Sequence, residues 1–137
     1  MKFENKNIKI TYNENWEKQE NEIKNCLLVL DHKNKKSRIM LMEYPNQAVN
    51  ITHLKTAIEL FPRDENFQIV KSEIIKIKDI MVHELEAVNP TCKPILQTKS
   101  IGLINKKDVY IFNYMSFGLD NTTNNDFQKI IESIELK

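Results

Sequence analysis

The sequence predicts an α+β domain whose strands and helices follow the order β-β-β-α-β-β-β-β-α. Two segments carry apolar residues at the three- and four-residue spacing of an amphipathic helix. The segments around them alternate apolar and polar residues, as half-buried strands do. The chain has 137 residues, of which 41% are hydrophobic and 2 are Gly. This length and composition suit one folded domain spanning residues 1–137.

Three strands are predicted before the first helix. The segment 8–12 alternates apolar and polar residues, and the polar residues 13–15 after it are typical of a turn. An apolar run over 26–31 and the segment 38–44 form the next two strands. The polar residues 31–36 between them predict a hairpin loop.

The first helix is predicted over residues 51–61. Its apolar stripe consists of Ile51, Leu54, Ile58 and Phe61. Asn50 is suited to cap the N-terminus, and Pro62 is expected to end the helix because proline has no N–H for the backbone ladder.

Four strands are predicted after this helix, over 67–78, 80–88, 95–105 and 109–116. The joins at 78–79 and 105–108 are short enough for hairpins. The alternation of the first of these strands changes phase at Ile74 and Ile75, which predicts a bulge there.

The second helix is predicted near the end of the sequence. Asn125 is followed three residues later by Gln128, which resembles a capping box, so residues 120–125 are expected to form a loop. The apolar stripe consists of Phe127, Ile130, Ile131 and Ile134.

Two of the predicted strands are apolar on both faces. The strands 38–44 and 109–115 are therefore expected to lie at the centre of the sheet, covered on both sides. The strand 8–12 has one polar face and is expected nearer an edge. Two amphipathic helices are available to cover the sheet.

Catalytic and metal-binding motifs are lacking in the sequence. His32, His53 and His83 are not spaced as zinc ligands, and two glycines cannot build a phosphate-binding loop. Cys26 and Cys92 lie far apart, with no second cysteine near either, and are expected to be reduced thiols. We therefore expect no catalytic residues, no cofactor and no metal.

One alternative is a small enzyme with a site near His83, Glu84 and Glu86. Carboxylates two residues apart on a strand point to one face and can serve acid–base chemistry if they are partly buried. The competing interpretation is a charged solvent face of an edge strand, with His83 pointing to the other side.

The densest unusual feature is a set of methionine and aromatic residues on the two central strands. Its members are Met40, Met42, Tyr110, Phe112 and Tyr114. They are candidates for an adaptable apolar surface that binds a helix or a lipid chain in a partner. The other interpretation is that they form the ordinary core of the sheet.

The charge balance argues against nucleic acid as a partner. The net charge is +1, and no block of like charge forms a tail. No window approaches the length of a membrane span, and residues 1–6 do not resemble a signal peptide. The expected location is cytoplasmic, unless an N-terminal signal or lipoprotein segment has been removed from the chain.

The order of apolar positions resembles the PsbP-like domain family. The opening Ile-x-Ile-x-Tyr-Asn-x-Asn-Trp over 8–16 is similar to the strand, turn and tryptophan that open these domains, with Asn13 where proline is common. The helix at 51–61, the segment 66–73 and the closing Phe-x-x-Ile-Ile-x-Ser-Ile over 127–134 follow the same order.

This resemblance implies a three-layer sandwich around a seven-stranded antiparallel sheet, with the third and seventh strands as central neighbours. Members of the family include a photosystem II extrinsic subunit, a nuclear-transport factor, bacterial envelope lipoproteins and cytosolic adaptors. They share binding rather than catalysis. The predicted function is therefore a non-catalytic binding module that acts through protein–protein contacts. The alternative within this class is a cytosolic adaptor or chaperone that shields an apolar segment of a partner protein.

Overall fold

The computed structural model describes residues 1–47 and 50–137, without the side chains of residues 63 and 64. The strands are β1 (Lys2–Glu4), β2 (Ile8–Thr11), β3 (Trp16–Gln19), β4 (Cys26–His32), β5 (Ser37–Tyr44), β6 (Gln68–Ile77), β7 (Ile80–Asn89), β8 (Leu96–Asn105), β9 (Asp108–Phe117) and β10 (Glu135–Leu136). The helices are α1 (Ile51–Asp64), between β5 and β6, and α2 (Asn121–Glu132), between β9 and β10.

Seven strands form one antiparallel sheet in the order β3-β4-β5-β9-β8-β7-β6. The remaining three form a small sheet in the order β1-β2-β10. The α+β class, the predicted order of elements and the pairing of the third and seventh predicted strands, now β5 and β9, are confirmed.

The two faces of the large sheet are covered by different elements. On one side, which we call the α2 face, α2 and the small sheet pack over a row of buried residues. Leu28, Leu41, Phe112 and Ile101 lie opposite one another across four strands and are at most 2% exposed. On the other side, which we call the α1 face, α1 contacts β6, β7 and β8.

The seating of α1 depends on a glycine. His83, Gly102, Ile111 and Met42 lie opposite one another in a row across the α1 face. A Cβ atom at Gly102 would lie only 2.6 Å from Cδ1 of Ile58, so α1 approaches β8 more closely than a side chain would allow.

The expectation that β5 and β9 are covered on both faces is wrong. Phe112, on the α2 face, is fully buried, whereas Ile111, on the α1 face, is only half-buried and Met115 is 39% exposed. Strands lie about 4.8 Å apart and a helix is about 10 Å wide, so a helix seated over β6–β8 does not also reach β5.

Both helices differ from the prediction at one end. Helix α1 continues past Pro62, and the N–H of Glu65 still donates to the carbonyl of Phe61 at 3.2 Å to close its last turn. Helix α2 begins earlier than expected, because the Asp120 carboxylate accepts from the N–H groups of Thr122 and Thr123 at 2.9 and 3.1 Å.

Two strand predictions are also corrected. The bulge in β6 lies between Ile69 and Lys71 rather than at Ile74 and Ile75. The strand 8–12 was expected near an edge of the main sheet but pairs within the small sheet instead, where its centre, Ile10, is fully buried beneath the second layer.

Candidate functional site

An apolar groove lies on the α1 face, where α1 leaves the centre of the sheet uncovered. Its volume is about 590 Å³. It is lined by Met40, Met42, Tyr44, Gln47, His53, Leu54, Ala57, Ile58, Phe61, Pro62, Phe67, Leu85, Thr98, Ser100, Ile104, Val109, Ile111, Asn113, Tyr114 and Met115. None of these described residues is Asp, Glu, Lys or Arg.

The floor of the groove is formed by β5 and β9. Met42 lies opposite Ile111, and the neighbouring Met40 lies opposite Asn113. Met40, Met42 and Ile111 are half-buried, and Met115 extends the floor toward solvent. Methionine side chains are flexible and polarizable, so this floor can adapt its shape to an apolar ligand.

The wall of the groove is the sheet-facing side of α1. Asn50 caps this helix by accepting from the N–H of His53 at 2.9 Å. Leu54 and Ile58 pack over Gly102, while Phe61 remains 67% exposed at the far end of the groove. A phenylalanine this exposed beside an apolar floor makes one continuous apolar surface.

The polar groups of the floor are engaged with each other or with the backbone. The Ser100 hydroxyl donates to Oδ1 of Asn113 at 2.8 Å, and the Thr98 hydroxyl donates to the carbonyl of Ala87 at 3.4 Å. Neither hydroxyl is bonded to a histidine or a carboxylate that would activate it as a nucleophile. The arrangement is suited to hold an apolar group.

The structure divides the predicted methionine and aromatic set between two faces. Met40 and Met42 line the groove, but Tyr110, Phe112 and Tyr114 have their side chains on the α2 face and are fully buried, although Tyr114 also borders the groove. The idea of a single surface is therefore wrong. Successive side chains of a strand point to opposite faces, and the register sets Phe112 against Leu41 rather than against either methionine.

The two buried tyrosines have structural partners. Tyr110 donates to Oε2 of Glu43 at 2.6 Å, and burial, followed by this hydrogen bond, raises the pKa of Tyr110 above its usual range. Tyr114 shares a 2.7 Å hydrogen bond with Thr123 of α2 and stacks on Phe127 at 5.3 Å. Tyr114 therefore lies between the sheet and α2, and Tyr110 belongs to the same buried core.

His83, Glu84 and Glu86 are not brought together. Glu84 and Glu86 lie on the α2 face, where they pair with Lys71 at 2.6 Å and with Lys99 at 3.0 Å. His83 points to the opposite face and is fully buried beneath α1. The proposed acid–base site near these three residues is therefore not assembled.

The other residues considered as possible ligands lie apart. Within the described part of the chain, no three His, Cys, Asp or Glu side chains are grouped as metal ligands would be. His32 packs edge-on against Trp16 at 4.9 Å. Cys26 and Cys92 are both free thiols, and burial raises the pKa of Cys26.

The wall of the groove was missed by sequence reasoning. The helical spacing assigns Ile58 and Phe61 to the buried stripe of an amphipathic helix and gives no sign that part of this stripe faces a groove. One local signal was present, because Gly102 interrupts the apolar run over 101–104 in β8, and a strand glycine often marks close approach by another element.

Comparison with known proteins connects this arrangement to a known fold. No protein-family model matches the sequence, and no curated protein resembles it at a significant level. The solution structure of cyanobacterial PsbP (CyanoP) from Synechocystis matches it with a TM-score of 0.72 at 8% identity, over 100% of this chain and 92% of that chain. The chain has the PsbP-like fold.

Two further solved structures are similar to this PsbP-like domain. LpqN, involved in cell envelope biogenesis of Mycobacterium tuberculosis, matches with a TM-score of 0.57 at 11% identity, over 95% of this chain and 83% of that chain. A protein from Bacteroides thetaiotaomicron matches with a TM-score of 0.69 at 8% identity, over 95% of this chain and 45% of that chain. At these identities the likeness establishes the PsbP-like fold and not the role of any residue.

Within residues 1–47 and 50–137, neither helix combines the length and hydrophobicity that crossing a bilayer requires.

Proposed function

We propose that this domain is a non-catalytic binding module that acts through protein–protein contacts, and that the groove beside α1 is its contact site. The observation that supports this is a difference between the two faces of the sheet. Toward β6 and β7 the α2 face carries the ion pairs of Lys71 and Lys99 with glutamates. The groove on the α1 face is mostly apolar, and its lining has no Asp, Glu, Lys or Arg.

The occupant we propose is an amphipathic helix of a partner protein. The floor strands β5 and β9 lie about 4.8 Å apart, so with their side chains the floor is roughly 10 Å wide, which is the width of one α-helix. A helix laid beside α1 would cover them as α1 covers β6–β8. Helix-in-groove recognition of this kind buries an apolar stripe of the partner.

Charge supports the same occupant. The uncharged lining favours an uncharged stripe, because a charge buried there would have no counterion. One ion pair lies on the strands outside the groove lining, Arg38 with Asp31 at 2.6 Å. A polar side of a seated helix would meet this pair.

The proposed role also specifies what the module binds, where it works and what it does not do. The module shields an apolar segment of its partner, needs no cofactor, and works in the cytoplasm. It does not recruit nucleic acid, since a net charge of +1 provides no basic surface of the required size. It performs no catalysis, because the hydroxyls in the groove have structural partners.

A test of the groove uses the methionine methyl groups as reporters. Helical peptides selected from a library for binding to the full chain are added to protein carrying ¹³C-labelled methionine methyls. We expect the signals of Met40, Met42 and Met115 to shift on binding. Met1 and Met81 lie outside the groove lining and should not shift.

A pair of charge substitutions serves as the matched control. Met115→Lys should weaken peptide binding at least about tenfold, because a buried charge without a partner costs well over about 1.4 kcal/mol. Met81→Lys, at a similarly exposed methionine, should leave affinity unchanged. The proposal would be overturned if bound peptides moved Met1 or Met81 instead. It would also fail if fatty acids alone shifted the groove methyls while no selected peptide did.

A further inference from the structure

A buried histidine lies beneath the helix that forms the groove wall. His83 is fully buried on β7 and lies opposite Gly102, over which Leu54 and Ile58 of α1 pack. Its Nε2 is 2.8 Å from the Ser72 hydroxyl of β6. Its Nδ1 is buried and has no hydrogen-bond partner among the described residues.

This environment suits a neutral imidazole and penalises a protonated one. Protonation makes both ring nitrogens donors, and the N–H at Nδ1 would be buried without an acceptor. Burial lowers the pKa of His83, and the Glu59 carboxylate of α1 offsets this effect only in part.

Of the elements packed around His83, α1 and β7 carry charged groups that act on it. Helix α1 contributes Glu59 and Lys55, which pair with each other at 3.0 Å and act on the imidazole in opposite directions. Glu84 is next to His83 on β7, but its side chain lies on the opposite face and pairs with Lys71 of β6 at 2.6 Å. From β8, the neighbour is Gly102, which has no side chain.

Helix α1 is less deeply anchored than α2. Among the described side chains of α1, those of Leu54 and Pro62 are buried and the others are half-buried or exposed. Helix α2 has five buried residues, and its Thr123 bonds to Tyr114 of the sheet. An element with few buried contacts can open locally while the rest of the domain remains folded.

We propose that protonation of His83 detaches α1 from the sheet and so dismantles the apolar groove in acid. The detached helix exposes the imidazole to water, where the charged form is solvated. Release of a bound helix follows, because one wall of its site is lost. This regulatory role rests on the function proposed above for the groove, whereas the opening of α1 is a property of the free chain.

The direction and size of the effect follow from proton linkage. The closed form holds His83 neutral. The free energy that favours the closed form over the open form is therefore at its maximum above the pKa of solvated histidine, about 6.5, and falls as the pH drops below this value. Between that value and the lower pKa of the closed form, the open population rises about tenfold for each pH unit.

Hydrogen exchange of the full chain without ligand tests the opening. After correction for the intrinsic pH dependence of exchange, protection of residues 51–61 should fall by up to about tenfold per unit below pH 6.5, while protection of α2 stays constant. His83→Gln should remove this pH dependence, and His53→Gln, at an exposed histidine of the same helix, should preserve it. Unchanged protection of α1 in acid, or simultaneous loss of α1 and α2, would overturn the proposal.

A second measurement does not depend on the variant folding. NMR titration of the wild-type histidine Cε1 protons should show His83 gaining its proton together with shifts in the amides of α1. If α1 opened while His83 remained neutral, the switch would be excluded. Opening of α1 in acid without any peptide binding to the groove would overturn the proposed function alone. If a peptide bound the groove but the opening of α1 did not depend on pH, the switch alone would be overturned.

Discussion

Phe112→Ala is expected to lower the free energy of unfolding by about 3–5 kcal/mol, a large part of the ~5–15 kcal/mol typical of a domain. Phe112 is 0% exposed and does not face the groove. Its side chain packs on the α2 face between Leu41 and Ile101. Removing the ring loses its transfer free energy and leaves a cavity in close-packed surroundings. Urea unfolding followed by circular dichroism measures the loss.

Ile111→Ala is the matched comparison on the next residue of the same strand. Ile111 is half-buried on the groove floor, so its truncation is expected to cost about 1–2 kcal/mol, below the range for a fully buried isoleucine. Equal losses for Ile111→Ala and Phe112→Ala would mean that the groove is closed in solution. Ile10, which the sequence placed near an edge, is 0% exposed and should behave as a core residue.

Trp16→Ala is expected to cost a similar amount, about 3–5 kcal/mol. Trp16 is 1% exposed, and its indole N–H donates to Oδ2 of Asp126 on α2 at 3.1 Å. The substitution removes a large buried ring and also leaves a buried carboxylate oxygen without its donor. Denaturant unfolding of the variant measures the combined loss.

Two milder variants separate these contributions. Trp16→Phe keeps an aromatic ring but removes the indole donor, and should cost about 1–3 kcal/mol. Asn13→Ala removes the other donor to Asp126, at 3.1 Å, from a more exposed position and should cost less than either tryptophan variant. If Asn13→Ala were as damaging as Trp16→Ala, the carboxylate and not the packing of the indole would be the main source of stability.

The order of the elements was predictable because the spacing of apolar residues over short segments differs between helices and strands. Both helices and the long strands of the main sheet carry stripes or alternation over seven or more residues. Strands β1 and β10 have 3 and 2 residues, too few for alternation to be recognised, and β3 contains one apolar residue, Trp16, and so shows no alternation. They form because their partners, β2 and β4, are already positioned by the core.

The start of α2 shows how tertiary contacts override a local signal. Asn125 with Gln128 resembles a cap, and residues 121–124 contain no apolar side chain. The helix nevertheless begins at Asn121, because Asp120 caps it and the Thr123 hydroxyl reaches Tyr114 and Ser37 inside the core. These hydrogen bonds join residues up to 86 positions apart, so the spacing of residues within the helix cannot reveal them.

For the groove, too, one part was predictable from the sequence and another was not. The apolar character of Met40, Met42 and Ile111 is a property of the side chains and is visible in the sequence. Their partial exposure is not, because the apolar stripe of a strand is the same whether or not a helix covers it.

Local chemistry determined where strands and helices form, which residues are apolar on both sides of a strand, and that no catalytic motif is present. Only the tertiary structure decided which of these apolar residues are buried. Phe112 and Ile111 are adjacent and both hydrophobic, yet the first lies beneath α2 and the small sheet and the second borders an open groove. The physical reason is geometric, since one helix covers about three strands of a seven-stranded sheet, and Gly102 seats α1 to one side of its centre.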